Sequence, residues 1–393
     1  MDLSKLLTAD IQNYINENST IPATKLALRK NPFPEMEWIS IISQIEAKAK
    51  AKDKLPTWYA STNIIYPSKI SVEQTSSEKT AAYKSSLISG ESLIDLTGGF
   101  GVDDYYFSKI IPKVFHCEIN EDLSEIVKNN YKSLAINNII CLSGDSTQIL
   151  LDNEQKYSWI YIDPSRRNDS KGKVFMLKDC LPNVPENLDL YFQKSNAILI
   201  KTAPLLDLTA GLNELNNVKK IHIVALENEV KELLWELHKE YEGAVEICTA
   251  NILKDKIDTF NFIMGQQTQN YNYELALKYL YEPNSAIMKS GGFDEIASQY
   301  KLNKLHKHSH LYTSNNLVPF PGRIFKVEKT LQYSKLEMTN HLKNQQANIT
   351  VRNFPETVEN IRKKWKIKDG GSTYTFFTTD YLENKTVLIC SKV

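Results

Sequence analysis

The stretch Asp95-Leu96-Thr97-Gly98-Gly99-Phe100-Gly101-Val102-Asp103 continues the apolar run LIDLT, which begins at Leu93, and precedes the helix-like YYFSKII. Glycines at 98, 99 and 101 let a backbone turn tightly and approach a ligand without Cβ clashes. Such a turn from strand to helix stands at the carboxyl edge of a sheet, where doubly wound α/β folds bind ligands. Dinucleotide-binding folds use a similar loop, but the spacing here is not GxGxxG, so the residues further along must decide.

Outward from this loop, short apolar runs alternate with helical stretches between about residues 66 and 265: VFHCE at 114, IICLSGD at 139, WIYIDP at 159, AILIKT at 197 and IHIVAL at 221. Runs of this length between helices predict a mainly parallel sheet covered on both faces. VEICTANI at 245 and FNFIMG at 260 lie closer together and predict a closing antiparallel pair, with the run at 221 leaving the strand count open. Upstream, Leu3, Leu6, Leu7, Ile11, Tyr14 and Ile15 recur at helical spacing. A second helix is expected from Glu37 through EAKAKAKDK, with an exposed basic face and Pro56 closing it. Downstream of Gly265 the polar QQTQNYNYE marks a boundary, and TVENIRKKWKIKD, a Gly370-Gly371 turn and the runs YTFFTTDY and KTVLICSK predict a small α+β module.

Acids stand at the ends of the first four strand runs. Asp95 closes the first; Glu118 closes the second, 23 residues later, where a carboxylate can accept both ribose hydroxyls of a nucleoside. Asp145 in SGDS could meet an adenine edge, and Asp163 in DPSRR sets a carboxylate and Pro164 beside the reactive end of a bound cofactor. Each acid alone is equally well a turn residue or a helix cap. Four in register, with a GGFG loop, resemble a class I S-adenosylmethionine-dependent methyltransferase of doubly wound, Rossmann-like fold.

The blocks VEQTSSEKTAAYK at 72, DLTGGFGVD at 95, DPSRRNDSKGKVF at 163, KTAPLLDL at 201 and RKKWKIKDGG at 362 extend the resemblance to the bacterial methyltransferases with a C-terminal THUMP-like domain. It implies a helical N-terminal domain (1–65), a methyltransferase domain (66–270), a ferredoxin-like segment (275–320) and a THUMP-like domain (321–393). It implies S-adenosyl-L-methionine as cofactor, with Asp95, Gly98, Gly99 and Gly101 at its methionine end, Glu118 on the ribose, Asp145 at the adenine, and Thr97 and Asp103 as further candidates in the loop. Gln74, Ser76, Ser77 and Lys84 lie on a segment that in such enzymes can fold back over the cofactor. From the residues alone it is a helix capped by Thr75 or Ser76. The THUMP association implies an RNA acceptor, tRNA or rRNA.

DPSRR departs from the pattern of exocyclic-amine methyltransferases, where two prolines and an aromatic ring follow the Asn or Asp. The stacking ring is missing, although Arg166 or Arg167 could stack on a base or clamp a phosphate. The uridine C5 methyltransferases carry a closer match but need a cysteine nucleophile after the fifth strand. KTAPLLD supplies none, so covalent C5 chemistry is set aside unless Cys180 reaches in from elsewhere. Direct in-line transfer to a nitrogen or oxygen follows, with Asp163 orienting or deprotonating the acceptor and Arg166, Arg167 and Lys201 holding phosphate or developing charge. A surface salt-bridge cluster is the plainer alternative for these cations.

The chain has 393 residues with 47 Lys+Arg against 47 Asp+Glu, yet residues 301–393 alone carry 16 basic and 7 acidic residues. A basic lobe hidden in a neutral sum suits a nucleic-acid partner. Within it Arg362, Lys363, Lys364, Lys366 and Lys368 surround Trp365, which could stack on a base or simply anchor the helix. His306, His308 and His310 alternate as on one strand face, with no acid or cysteine nearby in sequence, so no metal is expected. Five scattered cysteines support neither a disulfide framework nor a zinc knuckle. No stretch reaches the roughly 18 apolar residues of a membrane span, and the chain is expected to be cytoplasmic and unprocessed. Two rival functions remain: methylation of a small molecule or protein, and RNA binding by a core that holds cofactor without turning it over.

Overall fold

The computed structural model describes residues 2–166, 176–266 and 270–393. The chain divides into two compact units, Met1–Ile221 with Glu232–Gly243, and His222–Lys231 with Ala244–Val393. Among the described residues no helix is long and apolar enough to cross a membrane.

The first unit opens with helices α1 (Ala9–Asn18) and α2 (Trp38–Lys54). Ile11 and Ile15 of α1 pack with Ile41, Ile42 and Ile45 of α2, as helical spacing requires. The basic face expected on α2 is only partly exposed. Lys48 is buried beside Ala47 and Ala51, its ammonium donating to the Tyr59 carbonyl at 2.8 Å and lying over the Tyr59 ring. Pro56 starts the next short helix, at its first position, rather than merely ending α2. The extended segment at Ile65 and Tyr66 is held by side-chain amides that imitate strand partners. Gln44 exchanges two hydrogen bonds with the Tyr66 backbone, and Asn130 does the same with Ile65.

Beyond it come helix α3 (Glu78–Ser85), strand β1 (Ser92–Asp95), helix α4 (Val102–Phe107), strand β2 (Lys113–Glu118), helix α5 (Glu121–Ser133), strand β3 (Ile139–Ser143) and helix α6 (Ser146–Asp152). Strands β4 (Trp159–Ile162), β5 (Ala197–Thr202), β6 (Val218–Leu226) and β7 (Glu229–His238) follow. These seven strands are neighbours in the order β3-β2-β1-β4-β5-β7-β6. The first five strands are parallel, and β7 runs antiparallel to β5. Asp95 stands level with His116 of β2 and Tyr161 of β4, so the loops after β1, β2 and β4 emerge at one sheet edge.

Strand β7 is absent from the sequence-based expectation. Val230, Leu233, Leu234 and Leu237 recur at helical spacing, but Glu227 and Asn228, at φ 48° and 65°, form a two-residue turn whose twist closes β6 and β7 into a hairpin. Trp235, wholly buried, then donates its indole N–H to Thr202 Oγ1 at 3.0 Å.

In the second unit β8 (Glu246–Ile252) and β9 (Ile257–Ile263) form the antiparallel pair expected from sequence. Six further strands follow: β10 (Tyr279–Pro283), β11 (Tyr312–Ser314), β12 (Gly322–Gln332), β13 (Asn348–Arg352), β14 (Thr373–Thr379) and β15 (Lys385–Lys392). With the short strand Asn303–Lys304 at one edge they make a sheet ordered β11-β10-β12-β15-β14-β13. The long β12 pairs with β10 on one side and β15 on the other. Helix α7 (Val358–Trp365) packs Ile361 and Trp365 against Phe377 and Val387 of this sheet. Phe260 of β9 packs with Tyr281, Ile296 and Tyr312, so β8 and β9 belong to this unit's core.

Candidate active site

The loop after β1 is shaped by what lies under it. Gly98 donates its N–H to the Cys117 carbonyl at 2.8 Å, and a Cβ there would lie 2.2 Å from His116 Cε1. Gly99 and Gly101 have φ of 55° and 75°, and a Cβ at 101 would meet the Tyr131 hydroxyl at 2.1 Å. Only glycine fits at 98 and 101, where a Cβ would overlap a side chain, and the left-handed backbone favours glycine at 99. Glu118 reaches the loop from the end of β2, its Oε2 accepting from the Gly99 N–H at 3.0 Å and its Oε1 from the Asn120 N–H at 2.8 Å. Its carboxylate is half-buried and keeps lone pairs for further donors. Asp145 caps α6 through Oδ1, which accepts from the Thr147 and Gln148 N–H groups, and its Oδ2 takes no part in the cap on this exposed side chain.

Asp95 turns inward instead. It is 2 % exposed, and its Oδ1 accepts from the Thr97 N–H at 2.7 Å and the Thr97 hydroxyl at 3.0 Å. Burial and the neighbouring Asp104 push its carboxyl well above the usual carboxylate range. Thr97 links two motifs, because its Oγ1 also accepts the Asp163 N–H at 2.6 Å. That bond fixes the backbone from which Asp163 projects. Lys201, on β5, donates to Asp163 Oδ2. Burial alone would lower the Lys201 pKa, but the Asp163, Asp103 and Glu232 carboxylates outweigh it and raise it, so the ammonium stays charged. Asp163 is 36 % exposed and Lys201 13 %, which sets the carboxylate outermost with its cation behind.

Behind Lys201 lies a buried charge network. Lys84, wholly buried on α3, donates to both Glu232 oxygens at 2.9 Å and to Ser76 at 3.0 Å, and pairs with Asp103 at 3.1 Å. Asp103 also accepts from the Ser76 and Tyr161 hydroxyls. Burial opposes its ionisation, but Lys84 and Lys201 with these hydroxyls hold its pKa below the ordinary value. Asp103 Oδ2 thus serves the two hydroxyls, while the buried Oδ1 has the Lys84 ion pair and no hydrogen bond. The cap of α3 is Ser77, neither Thr75 nor Ser76, and Gln74 is exposed at the end of the helix Lys69–Gln74.

Pro164 is buried, while Arg166 is exposed and stands opposite Cys180 in a two-residue ladder. Burial raises the Cys180 thiol pKa, and its Sγ contacts the Met176 carbonyl at 3.6 Å. The sulfur is therefore an internal thiol, in line with setting C5 chemistry aside. Arg167 lies outside the described residues.

In the second unit, Trp365 is 8 % exposed and donates its indole N–H to the Tyr333 hydroxyl, so it anchors its domain and is not presented to stack on a base. Arg362 pairs with Asp369 and Lys364 with Glu356, whereas Lys363, Lys366 and Lys368 are exposed. The three histidines lie in a turn rather than on a strand. His306 bonds Glu383 at 3.1 Å, an acid distant in sequence, and His310 stacks on Phe293. Among the described residues no group of side chains could hold a metal.

Sequence reasoning missed Glu232, Tyr161 and the His116–Asp104 pair. Glu232 was hidden in the helix-like stretch that became β7. Tyr161 and His116 sit inside strand runs that read simply as core, and Asp104 reads as a helix-start acid.

Parallel strands in this order, closed by an antiparallel β7 and carrying a glycine loop and strand-end acids at one edge, define the class I methyltransferase fold. Family models match a ferredoxin-like domain at residues 279–321 and a THUMP-like domain at residues 322–392. The crystal structure of a protein of Porphyromonas gingivalis W83, assigned as a methyltransferase, superposes with a TM-score of 0.91 at 30 % identity over 100 % of this chain and 99 % of that one. The chain belongs to the family of class I S-adenosylmethionine-dependent methyltransferases with a THUMP-like domain after a ferredoxin-like one. An rRNA methylase from Streptococcus thermophilus is also similar, with a TM-score of 0.30 and 13 % identity over 41 % of this chain and 93 % of that one, too distant to carry an argument. No curated protein matches the sequence.

Proposed function

We propose that the protein transfers a methyl group from S-adenosyl-L-methionine to a nitrogen or oxygen of a tRNA or rRNA nucleotide by direct in-line displacement. The observation that carries this reading is the meeting of four strand ends: the glycine loop against Glu118, and Asp163 tied to both Thr97 and Lys201. The residues present fit the cofactor. Gly98 and Gly101 shape a cradle that a Cβ at either would disturb, Glu118 offers a carboxylate to ribose hydroxyls, and Asp145 Oδ2 offers an acceptor at the adenine end. When bound there, the cofactor supplies an electrophilic methyl on a sulfonium.

The chain's own part is orientation and proton handling. Asp163, paired with Lys201, accepts a hydrogen bond from the acceptor N–H or O–H and takes its proton as the new bond forms. Lys201 remains charged and does not act as the base. Pro164 stiffens the turn after Asp163, and Arg166 is placed to meet a substrate phosphate. An RNA acceptor is supported by the THUMP-like match and by the exposed Lys363, Lys366 and Lys368.

Isothermal titration with donor tests the cofactor half. Glu118→Ala should weaken binding about tenfold or more, the loss of charge-assisted hydrogen bonds of about 1.5–3 kcal/mol. Unchanged donor affinity would remove Glu118 from the site.

A further inference from the structure

The second unit presents two exposed tyrosines, one of which, Tyr273, packs edge-on against Tyr271 at the margin of the core. Tyr273 is 40 % exposed and Tyr381 38 %, with ring centroids 6.5 Å apart and planes 29° from parallel. Both stand on fixed backbone. Tyr273 is bridged to Lys304, whose N–H donates to the Asn272 carbonyl and whose carbonyl accepts the Glu274 N–H. Tyr381 tops the turn between β14 and β15, braced by the buried Asp380, whose Oδ1 accepts from the Leu382 and Asn384 N–H groups at 2.9 Å each. The surroundings are polar and carry both signs of charge, with Glu274 next to Tyr273 and Glu383 near Tyr381. His306 takes up Glu383, two residues from Tyr381, and the exposed Lys307 and His308 follow it directly. Leu382 adds exposed apolar surface beside the ring.

We propose that Tyr273 and Tyr381 form a stacking platform for an unpaired RNA base, with Lys307 meeting an adjoining phosphate. Two aromatic faces held rigidly in water lose little entropy when a base covers them, and every base has a π-face to offer. The basic excess of residues 301–393, 16 cations to 7 acids, matches a polyanion rather than a basic or neutral partner. This platform replaces Trp365 as the stacking element of the C-terminal unit. It rests on the RNA reading above and names the part of the RNA it takes, an unpaired nucleotide away from the methylated one.

The test uses the full chain and two labelled probes, a single-stranded 12-nucleotide RNA of mixed sequence and a blunt hairpin of the same length. Wild type should prefer the single strand. Tyr273→Ala with Tyr381→Ala should weaken it about tenfold to a hundredfold, the range of losing base–aromatic stacking, while Tyr→Phe at both sites should keep it. In methyl transfer to RNA, the double alanine variant should raise KM and leave kcat unchanged. A correctly folded double alanine variant that binds and methylates RNA as wild type does would overturn the platform and leave the RNA reading standing. Wild type that neither binds nor labels RNA would overturn both. Label appearing in protein, and lost in the double variant, would assign the tyrosines to a protein partner and overturn the proposal.

Discussion

His116 and Asp104 form the closest buried pair beneath the glycine loop, Nδ1 to Oδ2 at 2.7 Å, with both side chains wholly inaccessible. Burial lowers the His116 pKa, and burial with the adjacent Asp103 raises that of Asp104 well above the carboxylate range. Both shifts favour the uncharged forms, so the contact is that of a neutral pair rather than an ion pair. The sign of its pH dependence follows. A carboxyl with a raised folded pKa contributes stability that is complete below its ordinary pKa and is lost as pH rises towards the folded value, at about 1.4 kcal/mol for every tenfold difference in proton affinity between the folded and unfolded chain. Asp104→Asn keeps a donor for Nδ1 and cannot ionise. Its melting temperature should gain on wild type as pH is raised from about 5 to 9; a gap that moves the other way would mean a charged pair. At this scale the sequence was informative where chemistry constrains letters: Gly98 and Gly101 with no room for Cβ, Gly99 in a left-handed turn, and Glu118 one strand along. It was uninformative for Asp95 and Asp103, because facing in or out depends on neighbours such as Lys84 that arrive from distant segments.

Helix α3 shows how an element is fixed by a single charge. Lys84 is its only wholly buried cation, and it joins α3 to β7 through Glu232 and to α4 through Asp103. Lys84→Met would leave two carboxylates buried without their cation, a loss of about 3–5 kcal/mol in urea unfolding. Adding Glu232→Gln should restore part of it. A loss below about 1 kcal/mol would show that the network is incidental. Strand β7 escaped notice for a different reason, the burial of its apolar residues on both faces. Alternation along β7 is masked because Leu233, Leu234, Trp235 and Leu237 are all buried, both faces being covered, so periodicity cannot separate strand from helix. The parallel strands β1 to β5 were legible because short β-branched runs are bounded by glycine, asparagine and acid turns.

At the scale of the whole molecule, charge was legible as an asymmetry but not as a surface. Arg323 and Arg352 both serve the buried Glu282, and Lys304 serves Asp294, so a share of the C-terminal cations is spent on internal pairing. Exposed lysines, Lys307, Lys363, Lys366 and Lys368 among them, are what a polyanion can reach. Composition counts both kinds alike, and only tertiary pairing separates them. The central claim is that strand ends built from Glu118 and Asp163 carry methyl transfer to RNA. Its direct test is tritiated-methyl transfer from the labelled donor to total RNA from a strain deleted for this gene, using wild type, Glu118→Ala and Asp163→Ala. We expect label in RNA with wild type and at least about a hundredfold less with Asp163→Ala, as for loss of a positioned proton acceptor. Donor binding with no label in RNA, or an Asp163→Ala enzyme as active as wild type, would contradict it.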